Sequence, residues 1–423
     1  MTKENPTATH PHTAAPGRAP SGQSTSLGTS RPGKSPYPAL LTVTYLLFTV
    51  MLGGTLPTPL YPLYAQRLGL SPLVVALVFA AYALGILGPL LFAGGLSDQI
   101  GRRKVLVPAV AIGILSCVVF AVSPTLPGLL AGRILSGISV GLTTGAATAY
   151  LGELHPRPPR AALVAAVTNM AGLGVGPLLS GFLITHAPHP LITPYAALAV
   201  LLLPGALVLA LPESVRNAKD STVRLRLQRL AIPAAARPTF AAAAVAVFGS
   251  FAVLGLLSAL AGKFLAEGLH NTSPVMAGTV VLCAFGCAGL AQLAAARLAP
   301  HLGAIAGMVV VPLGLAVIVA ALPAASLPLF LLGAAVAGAG GGVAFRSGLA
   351  LVVAQAPAGR TGELVSSYFV AAYLGLAVPA IGVGLLVTAT SLGTAATVFA
   401  AVVTVLAAIS ITVTAKTRRP NAT

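Results

Sequence analysis

The chain has 423 residues, 57% of them hydrophobic and 7% charged, with a mean hydropathy of +0.94. A soluble domain carries about 25% charged residues, so this composition excludes a water-facing globule and makes lipid the solvent for most of the surface. The net charge of +17 would suit nucleic acid, but the cations lie in short loops beside apolar stretches. The aromatic-interleaved basic surface that single strands need is missing, so no nucleic-acid partner is expected.

Residues 1–38 are polar and rich in Pro, Ser, Thr, Gly and Ala, without the apolar run of a signal peptide, and are expected to form a disordered tail. Twelve apolar stretches follow, at 39–62, 73–97, 104–122, 126–151, 160–184, 191–211, 239–262, 275–297, 304–322, 327–352, 362–388 and 393–415. Each approaches the roughly 20 residues that a membrane-crossing helix needs. No alternating pattern suggests a barrel. The expected fold is an all-α membrane protein of twelve transmembrane helices in two six-helix halves, 39–212 and 239–416. A basic linker at 213–238 joins them, and 417–423 form a second tail. The turn Arg297–Gly303 after stretch 8 occupies the place of the charged turn after stretch 2, and Pro357–Arg360 corresponds to Pro156–Arg160, so the halves read as weak copies. Lys and Arg concentrate in the tails, the linker and alternate loops, leaving only Arg67 and Lys263 on the other side. By the positive-inside rule both termini are expected in the cytoplasm, with the protein in the plasma (inner) membrane.

Stretch 1 ends in Pro57-Thr-Pro-Leu-Tyr61-Pro-Leu-Tyr64. The prolines are expected to stop the helix. Tyr61 and Tyr64 suit a membrane interface, and an outer gate is the alternative reading. Between stretches 2 and 3 runs Gly94-Gly-Leu-Ser-Asp98-Gln-Ile-Gly101-Arg102-Arg103-Lys104. Gly94 and Gly101 allow a tight turn, and Asp98 can accept from Arg102 and Arg103 or from a helix N-terminus. The plainer alternative is a basic loop that only sets topology.

Arg133 lies about 10 Å inside stretch 4 from its outer end, at 1.5 Å per residue. An intramembrane arginine is a functional candidate; bonding to backbone carbonyls or snorkelling outward is the alternative. Stretch 5 carries Gly172, Gly174, Gly176, Pro177, Ser180 and Gly181. Glycines at this spacing make a flat packing face and the proline bends the helix, whether for transport or as a generic contact. Arg346, two turns inside stretch 10, either lines a cavity or snorkels. Polar and aromatic side chains within the stretches are sparse, and the cavity candidates are Tyr45, Asn169, Phe248, Phe285, Arg346, Tyr368 and Tyr373, with Tyr82, Phe251, Gln292 and Phe369 in the same pool. A mostly apolar, aromatic-lined cavity suits amphipathic molecules.

The acidic residues are Glu4, Asp98, Glu153, Glu213, Asp220, Glu267 and Glu363, and none falls at a span's middle. Either proton coupling uses Asp98 or Glu153 near an interface, with Arg133 assisting, or transport is not proton-coupled. The same absence favours neutral or anionic substrates over cations. Cys117, Cys283 and Cys287 lie in apolar stretches without disulfide or zinc spacing. No metal set, phosphate loop or nucleophile–base pair appears, so no cofactor and no enzyme activity are expected.

The loop Gly94–Lys104 resembles the signature loop of the major facilitator superfamily between its second and third helices. Arg133 and its surroundings are similar to the family's span-4 motif, with Ser136 in place of the usual glutamine. Gly172 to Gly181 resemble its span-5 motif, with Ser180 at one glycine position, and Leu211-Pro-Glu-Ser214 resembles its span-6 ending. The resemblance implies alternating access by two rocking halves, with Gly94, Asp98, Gly101, Arg102 and Arg103 as a conformational latch. Its span-4 motif, to which proton coupling is often attributed, implies a coupling role for Arg133, beside the interface carboxylates Asp98 and Glu153 already named. The span-5 motif (Gly172, Gly176, Pro177, Gly181) implies export of small amphipathic compounds, as in drug/proton antiporters. An uptake symporter or facilitator for a small metabolite is the alternative, and a non-transporting sensor or scaffold is the alternative of another class. The expected partners are a small-molecule substrate, protons and lipid, with the chain acting as a monomer.

Overall fold

The computed structural model describes residues 37–92, 96–155, 157–211, 232–357 and 360–418. The expected tails up to residue 36 and from 419, the linker at 212–231, Gly94 and the Asp98 side chain lie outside the described residues. Among those residues there is no strand, and twelve helices are long and apolar enough to cross a membrane. They are Tyr37–Leu68, Pro72–Leu91, Arg102–Val122, Leu126–Leu154, Arg160–His186 and Thr193–Ala210 (spans 1–6). Arg237–Gly268, Pro274–Arg297, Pro300–Ala321, Leu327–Ala354, Thr361–Ala389 and Leu392–Thr417 follow (spans 7–12). Twelve crossings return the chain to the side on which it began. The side holding Tyr37 and Thr417 is called the terminal face, and the other the far face.

The helix starts follow local chemistry. Proline sits in the first turn of spans 4, 6, 8, 9 and 10, where a missing N–H costs nothing. Thr125 and Ser273 cap spans 4 and 8 by accepting from the backbone N–H of Gly128 and Met276. Span 1 corrects an expectation. Its helix Tyr37–Thr55 does not stop at Pro57 but passes through a 3-10 turn, Thr58–Leu60, and resumes at Tyr61–Leu68. Pro59 and Pro62 each fall in the first turn of a new segment, so they bend the chain without ending it. Tyr61 and Tyr64 are therefore not interface anchors. They are 4% and 0% exposed, and the two hydroxyls of Tyr64 and Tyr195 lie 3.3 Å apart.

Spans 5 and 8 run against each other along the divide between spans 1–6 and spans 7–12, and spans 2 and 11 do the same. The closest approaches lie toward the far face. Gly181 of span 5 sits on the backbone of Pro274, Gly384 of span 11 on the backbone of Pro72, and Gly262 of span 7 on the ring of Pro62. A Cβ at Gly181 would overlap the Pro274 carbonyl. At Gly181 and Gly384 the divide closes by backbone against backbone, as small-residue contacts in lipid permit, while beside Gly262 a cavity of about 250 Å³ lined by Tyr61, Gln66, Lys263 and Glu267 lies on the far face.

Candidate transport cavity and its flanking charges

Two adjoining cavities, about 400 and about 200 Å³, occupy the divide and share Thr144, Thr148, Leu349, Phe369 and Tyr373. The larger reaches Ser97, Val105, Gly362 and Ser366, near the terminal face. The smaller ends at Met51, Tyr82, Asn169 and Leu173, near mid-membrane. Together they form a pocket of drug-like size open toward the terminal side.

Its walls differ. Spans 4 and 5 supply Thr144, Thr148 and Asn169, and Ser97 and Ser366 add hydroxyls near the terminal face. The Asn169 amide donates to the Met51 sulfur at 3.2 Å, a weak acceptor that a ligand can displace. Spans 7, 10 and 11 supply rings. Phe251 and Phe345 have centroids 5.4 Å apart, Phe345 and Phe369 5.9 Å, and Phe369 and Tyr373 6.4 Å. Such offset and edge contacts leave ring faces for an aromatic ligand.

Of the expected cavity residues, Asn169 and Tyr373 line this space. The others are placed elsewhere. Tyr45 donates to Leu201 O of span 6 at 2.7 Å. The Phe248 backbone packs on Gly375, and Phe285 is buried beside Gly174. Tyr368 donates to Phe345 O at 2.8 Å and stands behind the aromatic wall. Arg346 reaches the end of span 8, donating to Ala295 O and Ala296 O at 3.2 and 3.1 Å. It behaves as a snorkelling arginine that caps exposed helix carbonyls. Thr144, Thr148, Phe345 and Leu349 escaped the sequence reading. The i, i+4 hydroxyls of span 4 were the available signal.

The latch residues are partly visible. Gly101 has φ 108°, which favours glycine, and opens span 3. Arg102, 8% exposed, donates through Nε and Nη2 to Glu153 Oε1 at 3.0 and 2.8 Å, and through Nη1 to Ser97 Oγ at 2.6 Å. These bonds tie the loop to the end of span 4, within spans 1–6, and do not cross the divide. Arg103 is half-buried alongside. On the other side of the divide Arg360 holds Glu363 through Nε and Nη2 at 2.9 and 2.7 Å.

Arg133 is fully buried. Its Nη1 donates to Gly54 O at 2.8 Å, where span 1 approaches its break. Its Cζ lies 4.4 Å from the Tyr82 ring centroid and 5.5 Å from that of Phe79, within cation–π range. Twenty residues of helix separate it from Glu153, about 30 Å. The expectation that Arg133 assists Glu153 directly is corrected by that distance. In span 5, Gly172 and Gly176 face Met51 and Leu52 of span 1, while Gly174 and Gly181 face span 8; Pro177 meets Gly278.

Comparison with known proteins agrees with this architecture. Residues 43–265, just over half of the chain, match the Major Facilitator Superfamily. The quinolone resistance protein NorA of Staphylococcus aureus is 29% identical over 142 residues, 32% of this chain and 36% of NorA. The D-xylose-proton symporter-like 2 of Arabidopsis thaliana is 36% identical over 115 residues, 26% of this chain and 23% of that protein. The chain thus aligns with about a third or less of the length of these curated relatives. A bacterial homologue of the human lysosomal transporter Spinster, solved in an inward-facing and unoccupied conformation, superposes with a TM-score of 0.71 over 93% of this chain and 100% of that one. At 15% identity it speaks for the fold alone. The chain belongs to the Major Facilitator Superfamily and is a multi-pass membrane transporter of that family.

Proposed function

We propose that the protein exports small amphipathic compounds by alternating access, as a proton-coupled multidrug transporter of the plasma membrane. Residues 39–212 and 239–416 act as two rocking halves, and the basic terminal face is cytoplasmic. The observation that carries this reading is the cavity. It is open toward the terminal side, closed toward the far side at Gly181 and Gly384, and mostly apolar: an aromatic wall faces the hydroxyls of Ser97, Thr144, Thr148 and Ser366 and the Asn169 amide. Such a surface binds flat amphiphiles by area and offers little to a sugar, whose hydroxyls each need a partner. The segmental likeness to a quinolone resistance protein points the same way, and the symporter match keeps uptake as the second reading. A scaffold would have no use for a cavity of this size. Proton exchange falls to Asp98 or Glu153 at the terminal face, since Arg133 lies too far along span 4.

The test is accumulation of a panel of fluorescent and toxic amphiphiles in cells expressing the protein, with and without a protonophore. Lower accumulation that the protonophore reverses is expected. Higher accumulation with expression would establish uptake and overturn the export reading.

A further inference from the structure

Two of the three guanidinium nitrogens of Arg133, Nε and Nη2, are buried without a hydrogen-bond partner. No carboxylate among the described residues pairs with the charge. The acidic residues of the chain lie in the tail, in loops or at span ends, and no ion pair reaches Arg133 among the described residues. A buried cation without a counter-charge is costly, and rings and one carbonyl offset only part of that.

The unpartnered edge is informative. Arg102 holds Glu153 through Nε and Nη2, and Arg360 holds Glu363 through the same pair. This is the fork edge that matches a carboxylate. In Arg133 the opposite nitrogen is pinned to Gly54 O, so the fork is held in place and left empty-handed. One ring touches both this guanidinium and the transport cavity. Tyr82 covers the guanidinium at 4.4 Å and also lines the cavity. Its hydroxyl end fits only because Gly54 has no Cβ.

We infer that Arg133 is a gated anion subsite of the transport cavity, covered by Tyr82 in this state and exposed to the carboxylate of an aromatic substrate when Tyr82 swings aside. This rests on the export reading and narrows its substrates to amphiphiles with an aromatic body and a carboxylate or similar small oxyanion. The body lies on the rings of spans 7, 10 and 11. The anion reaches across to span 4. A free inorganic anion shares the chemistry and is separated from it by the test.

The test uses the full chain in lipid nanodiscs with two probes, 2-naphthoate and its neutral methyl ester, in a low-salt zwitterionic buffer with and without added sodium chloride. Binding is measured by calorimetry. Without chloride, naphthoate is expected to bind about tenfold more tightly than the ester, the order of a charge-assisted hydrogen-bond pair. Arg133→Gln brings the ratio to one while ester binding persists, and Arg133→Lys keeps part of it. Tyr82→Ala, which leaves the cation in place, raises the ratio above wild type. A ratio that survives Arg133→Gln, or that Tyr82→Ala leaves unchanged or lowers, overturns the subsite. So does stabilisation by chloride without any preference for naphthoate, which would mark a free-anion site. Ester binding that competes with an exported compound keeps the export reading alive even if the subsite fails.

Discussion

The far and terminal faces close the divide between spans 1–6 and 7–12 by different chemistry. At the far face, glycine lies on backbone: Gly181 on Pro274, Gly384 on Pro72. At the terminal face the described charges pair within each group of spans, Arg102 with Glu153 and Arg360 with Glu363, and a cavity fills the divide. The contrast has a mechanical consequence. Backbone contacts between rigid helices part together or not at all, because no flexible side chain can bridge a partial gap. The Arg102–Glu153 and Arg360–Glu363 pairs lie within one group of spans each, so the proposed motion would not have to break them.

Substitutions can break this contrast or sharpen it. The largest effect is expected from Gly181→Val, whose side chain would meet the Pro274 backbone. Overpacking costs about 1–3 kcal/mol, so the sealed state should lose roughly 5- to 150-fold in population. Transport in proteoliposomes should fall accordingly, and a wild-type rate would show that the far-face seal carries no weight. Phe369→Ala removes a ring that touches Phe345 and Tyr373. It should raise KM for aromatic substrates roughly tenfold with little change in kcat; an unchanged KM would place the substrate elsewhere. Glu153→Gln weakens the hold on the nearly buried Arg102, at the solvent's edge, and should reduce transport about fivefold without moving KM. Arg346→Gln should change transport less than about twofold, as for a surface cap. A tenfold loss would return Arg346 to the cavity.

The spans were legible because lipid demands long apolar helices, and that demand is written in every stretch. The signature loop and the glycine motif of span 5 were legible for the same reason, since charge and glycine stand out in such a chain. What faced the cavity was not. Arg346 and Arg133 look alike in sequence, each an arginine inside a glycine-rich span. Only the neighbours separate them: carbonyls at the end of span 8 beside one, Tyr82 and Phe79 beside the other. Tyr61 and Tyr64 were misplaced because a proline tract usually ends a helix, whereas here it re-starts one and turns both rings inward. Phe345 stands next to Arg346 in sequence, and nothing local tells that its ring, and not the arginine, meets the cavity.

The central claim is that the two faces alternate. Spin labels on a chain without Cys117, Cys283 and Cys287 test it directly, one pair at Gln66 and Thr390 on the far face and another at Arg160 and Gln355 on the terminal face, all exposed. Distance distributions between each pair, with and without an exported compound and a proton gradient, should shift in opposite senses, the far pair lengthening as the terminal pair shortens. If both pairs move together, or neither moves while transport proceeds, the account is contradicted.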